Sequence, residues 1–160
     1  MSASQFRVEK RRVEATLTLT TGQRVRGYFF LGDTSMAGEG PERADDLLNS
    51  TPGFFPFERL DGAFPRIVLY NTAHISLASV PRDAAQEVPG YEVATVRTVS
   101  LLLSSGEQVS GDIRVYLPQG RDRVSDWTRD PAVFRYLETA KATLLVNIRH
   151  VAEVIELEST

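Results

Sequence analysis

Laid against itself, the chain matches its own second half. Leu17, Leu19, Gly22, Val25, Gly27, Phe29 and Leu31 recur as Leu101, Leu103, Gly106, Val109, Gly111, Ile113 and Val115 at a constant offset of 84. Pro52 and Phe55 then meet Pro131 and Phe134 at 79, and Leu69, Asn71 and His74 meet Leu145, Asn147 and His150 at 76. The shrinking offset places eight extra residues in the loops of the first copy, where added chain costs little. An internal duplication constrains the fold more than composition does. Whatever one copy folds into, the other must fold into as well, within about half of 160 residues. The copies span 8–80 and 92–158. The stretch 81–91 (PRDAAQEVPGY) reads as a linker, because two prolines and a glycine interrupt the apolar alternation there.

Within each copy the hydrophobic period is two. Val13, Ala15, Leu17 and Leu19 alternate with Glu14, Thr16, Thr18 and Thr20, which predicts a strand with one buried and one wet face. Val99, Leu101 and Leu103 repeat the pattern. Thr21-Gly22-Gln23 and Ser105-Gly106-Glu107 are turns, so each copy opens with a β-hairpin. Gly27 and Gly111 occupy inward positions in mid-strand and predict a sharp bend or a close backbone approach. Polar loops follow at 32–51 and 118–130, with a helical turn expected at 45–49. The segment 131–139 has Asp130 and Pro131 placed to start a helix. Its counterpart, 52–57, carries a second proline that a helix would not accept, so both are read as extended. Two further apolar runs, 66–70 and 142–146, each lead through an Asn-x-x-His turn into a last strand, 75–80 and 151–157. The expected fold is all-β: two tandem, pseudo-symmetric, five-stranded small barrels with short helical turns in the loops, packed on one another through the linker and an aromatic face.

Composition narrows the chemistry. The apolar fraction is 42% and the charged fraction 24%, as in ordinary globular domains. The absence of cysteine removes disulfides, thiolate nucleophiles and cysteine-based zinc sites. The formal charge of −3 offers no global attraction to a polyanion. Neither half is a basic module, since each carries nine basic residues against nine or twelve acidic ones. No apolar run approaches the ~20 residues that cross a bilayer, and the Met1 to Arg12 stretch lacks the apolar centre of a signal peptide. A cytoplasmic protein without membrane contact is expected.

The order of hairpin, mid-strand glycine, polar loop, strand and tightly joined final strand pair resembles an Sm-like or SH3-like small barrel. Residues 17–29, from Leu17-Thr18-Leu19 through Gly22 and Val25 to Gly27-Tyr28-Phe29, look like the first Sm motif, and 67–75 (IVLYNTAHI) are similar in outline to the second. The resemblance implies RNA binding through a loop aspartate and asparagine and through a basic-glycine pair in the last turn. Asn71-Thr72 and Asn147-Ile148 stand where that pair would be, so the likeness carries the fold further than the function. The stretches 43–49 and 123–127, followed by aromatics and Asn-x-x-His, are also similar to uncharacterised bacterial domains of unknown function, which implies a bacterial setting and no mechanism.

Candidate sites follow from chemistry. His74 and His150 stand three residues after Asn71 and Asn147; an asparagine at a tight turn bonding its own backbone is the preferred reading over a ligand or metal role. Arg43, Asp46 and Asn49 in the first loop, and Arg123, Asp126 and Trp127 in the second, are candidate interaction residues. An arginine and an aspartate three apart recognise a phosphate or sugar, or else order their own loop as an ion pair. By alternation Phe29 belongs to the core, which leaves Tyr28 and Phe30 outside beside Arg24 and Arg26. Exposed rings among arginines stack on single-stranded nucleic acid or cover a protein contact. No phosphate loop, nucleophile elbow or paired carboxylates stand in the sequence.

The expected function is a non-catalytic protein-binding scaffold or adaptor that self-associates or joins a larger bacterial assembly, because small open barrels leave strand edges that need partners. No cofactor or metal is expected. The alternatives are an Sm-like single-stranded nucleic-acid binder using Arg24, Arg26, Tyr28, Phe30 and Arg43, and a small-ligand sensor with a pocket between the copies.

Overall fold

A computed structural model describes residues 10–33 and 40–157. The expected ends of the copies at 8–9 and 158, most of the Met1 to Arg12 stretch and 34–39 of the first polar loop lie outside the described residues. The strands are β1 (Lys10–Leu19), β2 (Arg24–Gly32), β3 (Phe54–Arg59), β4 (Arg66–Asn71) and β5 (Ile75–Val80), then β6 (Thr95–Leu103), β7 (Gln108–Val115), β8 (Phe134–Glu138), β9 (Thr143–Asn147) and β10 (Val151–Glu156). Two short helices, α1 (Ala44–Ser50) and α2 (Val124–Thr128), lie in the polar loops. The all-β expectation holds at this level, and 52–57 and 131–139 do supply strands. Asp130 starts no helix. Its carboxylate accepts a hydrogen bond from the Ala132 backbone N–H at 2.9 Å, an Asx turn that launches β8.

The arrangement of the strands departs from two separate barrels. Among the described residues all ten form one antiparallel sheet in the order β10-β6-β7-β8-β9-β5-β1-β2-β3-β4, and its end strands do not pair with each other, so the sheet is not closed. The reason lies in β5 and β9. Ile75, Leu77, Ala78 and Val80 in β5, and Leu144, Leu145 and Val146 in β9, are apolar on both faces, and such strands need a neighbour on each side. They find each other: Leu77 pairs with Val146, Ala78 with Leu145, Ser79 with Leu144 and Val80 with Thr143. The halves therefore join edge to edge. Tyr28 and Phe30 are not part of that junction: they stand opposite Glu14 and Arg12 within the first hairpin.

Gly27 and Gly111 mark close approaches of backbone. A Cβ on Gly27 would lie 1.9 Å from the Glu58 carbonyl oxygen, and one on Gly111 would lie 2.3 Å from that of Glu138. Any side chain would push the third strand of each half away from the second. At these points β2 meets β3 only through Gly27 to Phe29, and β7 meets β8 only at Asp112 and Glu138.

Two clusters of buried side chains fill the interior. The first gathers Leu17, Phe29, Phe55, Phe57 and Ile75 and takes in Phe134 and Leu145 from the second half. Phe29 meets Phe57 edge-on at 5.4 Å and Phe55 at 5.8 Å, contacts worth about 0.5–1.5 kcal/mol each beyond their burial. The second cluster holds Val99, Leu101, Leu103, Ile113, Trp127 and Leu137 and takes in Leu77 from the first half. Each core thus borrows residues across the β5·β9 seam. The expected linker packs as well. Ala85 is buried in a 3₁₀ turn at Ala84–Glu87, and the Arg82 carbonyl accepts from the Thr143 hydroxyl at 2.8 Å.

Candidate interaction surface

The seam shows how this sequence makes one half recognise the other. Beyond its backbone pairing it carries four side-chain locks. The Asn147 amide, itself buried, donates to the Ile75 carbonyl at 3.0 Å. His150 Nε2 lies 2.8 Å from the Ala73 carbonyl oxygen. The Tyr136 hydroxyl donates to Asp45 at 2.7 Å. The Asn49 side chain bonds the Phe134 backbone twice, donating to its carbonyl at 3.0 Å and accepting from its N–H at 2.7 Å. Asn49 thereby pairs with β8 as a neighbouring strand would. Burial and the Asp45 carboxylate together push the Tyr136 phenol well above the usual tyrosine range.

Asn71 and Asn147 keep the turn role expected of them. Each accepts from the backbone N–H two residues on, Ala73 and Arg149, at 3.0 Å. At the seam Asn147 adds its second bond to Ile75, whereas Asn71 stands opposite Phe54 of β3 and, among the described residues, has no strand on its other side. The same contrast runs along the strands. Leu145 in β9 is fully buried, while Leu69, 76 residues earlier in β4, is 63% exposed. Ile67 is 59% exposed where its counterpart Thr143 is buried, and Ile155 in β10 is 50% exposed. The two ends of the sheet present apolar side chains along edges that, among the described residues, no further strand pairs.

The residues singled out by sequence fall in three separate places. Arg24, Arg26, Tyr28 and Phe30 line β2, and the charges there are paired. Arg24 reaches Glu107 across the halves at 3.0 Å, and Arg26 reaches Glu14 at 3.2 Å. The Arg12 guanidinium bonds Glu58 and lies 4.4 Å from the centre of the Tyr28 ring. Arg43 and Asp46 start α1: the Arg43 N–H donates to Asp46 at 2.9 Å, and its guanidinium meets Asp45 at 3.2 Å and Asp46 at 3.5 Å. Arg123 and Asp126 repeat the backbone bond at α2, at 3.0 Å. This is the loop-ordering version of the arginine-aspartate pair. Trp127 is in the interior, with the Arg135 guanidinium 5.1 Å from its ring; a large apolar ring on a five-residue helix has nowhere else to pack. Asn49 alone of the set sits in the seam.

A cavity of about 190 Å³ lies between α1 and the second half, lined by Asn49, Trp127, Phe134, Arg114 and Glu138 among others. It is smaller than the ~300–1,000 Å³ of ordinary small-molecule pockets. Its arginines are already engaged: Arg114 meets Glu138 at 3.3 Å and stacks on Tyr91 at 3.6 Å, and Arg135 donates to the backbone carbonyls of Trp127, Asp130 and Ala132. Among the described residues no three His, Asp or Glu side chains cluster to hold a metal ion, and no helix is long and apolar enough to cross a membrane.

No family model, no curated protein and no solved structure matches this chain.

Proposed function

We propose that this protein is a non-catalytic scaffold built from two copies of one five-stranded unit, and that it works by joining proteins through the edges of its sheet, self-associating or entering a larger assembly. One observation carries the reading: among the described residues no strand pairs the outer side of β4 or of β10, while Ile67, Leu69 and Ile155 stand exposed on them. Unpaired edges with apolar side chains are templates for a further strand. The carboxylate partners of Arg24 and Arg26 favour this reading over nucleic-acid binding, because a phosphate would have to displace Glu107 and Glu14.

The test is the mass of the protein in solution by light scattering after size exclusion, over a wide concentration range. A mass above one chain that grows with concentration supports the scaffold. A single-chain mass at every concentration removes self-association. Binding of single-stranded oligonucleotide that weakens steeply with salt and on Arg24→Glu would replace this reading with the nucleic-acid one.

A further inference from the structure

The seam inside the chain is a worked example of how one half of this protein docks on another. It joins the fifth strand of the first half to the fourth strand of the second. The fourth strand of the first half, β4, and the fifth of the second, β10, are left over at opposite ends of the sheet. We infer that β4 of one chain pairs with β10 of a second copy, head to tail, in the register that β9 and β5 use internally. The inference rests on the scaffold reading above and names the partner and the junction.

Three observations carry it. First, β4 (RIVLYN) has the make-up of an inner strand, apolar on both faces like β9 (TLLVN), yet it lies at an edge. Second, two of the four locks of the seam, the asparagine and the histidine, are repeated at the free end of β4. Shifting the internal register by 76 residues sets Leu69 opposite the partner's Val154 and Val68 opposite the partner's Ile155. It also aims Asn71 at the carbonyl of the partner's Val151 and His74 at that of the partner's Arg149, as Asn147 and His150 are aimed at Ile75 and Ala73. The bulge that shapes β5 against β1, between Thr18 and Leu19, recurs in β10 against β6 between Val151 and Glu153, so the two fifth strands present similar edges. Third, charge selects the pairing. β10 (VAEVIE) carries two glutamates and no base, and β4 carries one arginine and no acid. Antiparallel pairing of β10 with itself in the register that matches Val154 with Ile155 would set Glu153 against Glu156, which like charges oppose. Pairing β10 with β4 in the internal register sets Glu153 and Glu156 opposite Tyr70 and Ile67, so no like charges meet.

The junction is heterologous, one surface meeting a different one, so each chain keeps a free β4 or β10 until the assembly closes. That gives a sharp test. Leu69→Lys blocks β4 and leaves β10 intact; Ile155→Lys does the reverse. Both positions are exposed in the single chain, and circular dichroism with Trp127 fluorescence checks that each variant folds as the wild type does. Each variant alone is expected to lose self-association and run as one chain. Mixed in equal amounts, they are expected to form a complex of two chains and no larger, because only one intact β4 and one intact β10 remain to meet. A variant that still dimerises alone, or a mixture that stays at one chain while the wild type assembles, overturns the junction and leaves the scaffold. Assembly that survives both substitutions does the same. Wild type that is a single chain throughout overturns the junction and removes self-association from the scaffold reading.

Discussion

The carboxamide of Asn49 and the backbone of Phe134, 85 residues apart, make two hydrogen bonds at 3.0 and 2.7 Å. A side chain from the helix of the first half thus completes the hydrogen bonding of a strand in the second. Asn49→Ala is expected to destabilise the chain by about 2–3 kcal/mol, because it removes two bonds and leaves the Phe134 N–H and carbonyl without partners in a half-buried place. Asn49→Asp keeps the acceptor and loses the donor, so it should fall between the two. Urea titration followed by Trp127 fluorescence checks the order.

Leu145 and Leu69 separate burial from sequence. Leu145→Ala opens a cavity in the first core and should cost about 2–5 kcal/mol. Leu69→Ala removes an exposed side chain and should change the stability of the single chain by no more than about 0.5 kcal/mol. Thermal unfolding in dilute solution measures both, and equal losses would contradict the burial described above.

Gly27→Ala and Gly111→Ala should each destabilise by about 1–3 kcal/mol or more, through the displacement of β3 or β8 by the new methyl group. Gly27→Ala should be the worse of the two, since its Cβ would stand 1.9 Å rather than 2.3 Å from the opposing carbonyl oxygen. Denaturant midpoints rank them.

Tyr136 links stability to alkaline pH. Its phenol is held protonated in the fold by burial first and by Asp45 second. A group whose folded value lies above its unfolded one gives stability that is fully present below about pH 10 and is lost as pH rises beyond it, because the unfolded phenol then releases its proton while the folded one keeps it. Tyr136→Phe should cost about 1.5 kcal/mol at neutral pH and make the fall in unfolding midpoint above pH 10 shallower. A fall as steep as in the wild type would show that Tyr136 contributes none of it.

Much of the local structure was legible in the chain before any coordinates. The alternation of Ala15, Leu17 and Val25 with polar neighbours put strands where β1 and β2 lie, because a half-buried strand needs a side chain of opposite character at every second position. The second proline in 52–57 argued for strands at β3 and β8, and the glycines at 27 and 111 pointed to a sharp bend or a close approach of backbone, of which the fold shows the close approach. The asparagine turns at 71 and 147 were readable as turns from asparagine chemistry alone.

What sequence did not disclose is which equivalent residue is buried. Leu69 and Leu145 follow similar apolar runs, and no local pattern separates them; one lies in a seam and the other on an edge only because β5 meets β9. Nothing near Asn49 in the chain points to Phe134, and nothing near Trp127 tells that its ring turns inward. Periodicity is set by the backbone of each strand, so the amino-acid order by itself determined that the chain is built of β-strands and where they run. Which strands become neighbours, and so which apolar faces are satisfied and which are left seeking a partner, depends on contacts between residues tens of positions apart, and only the tertiary structure decided that.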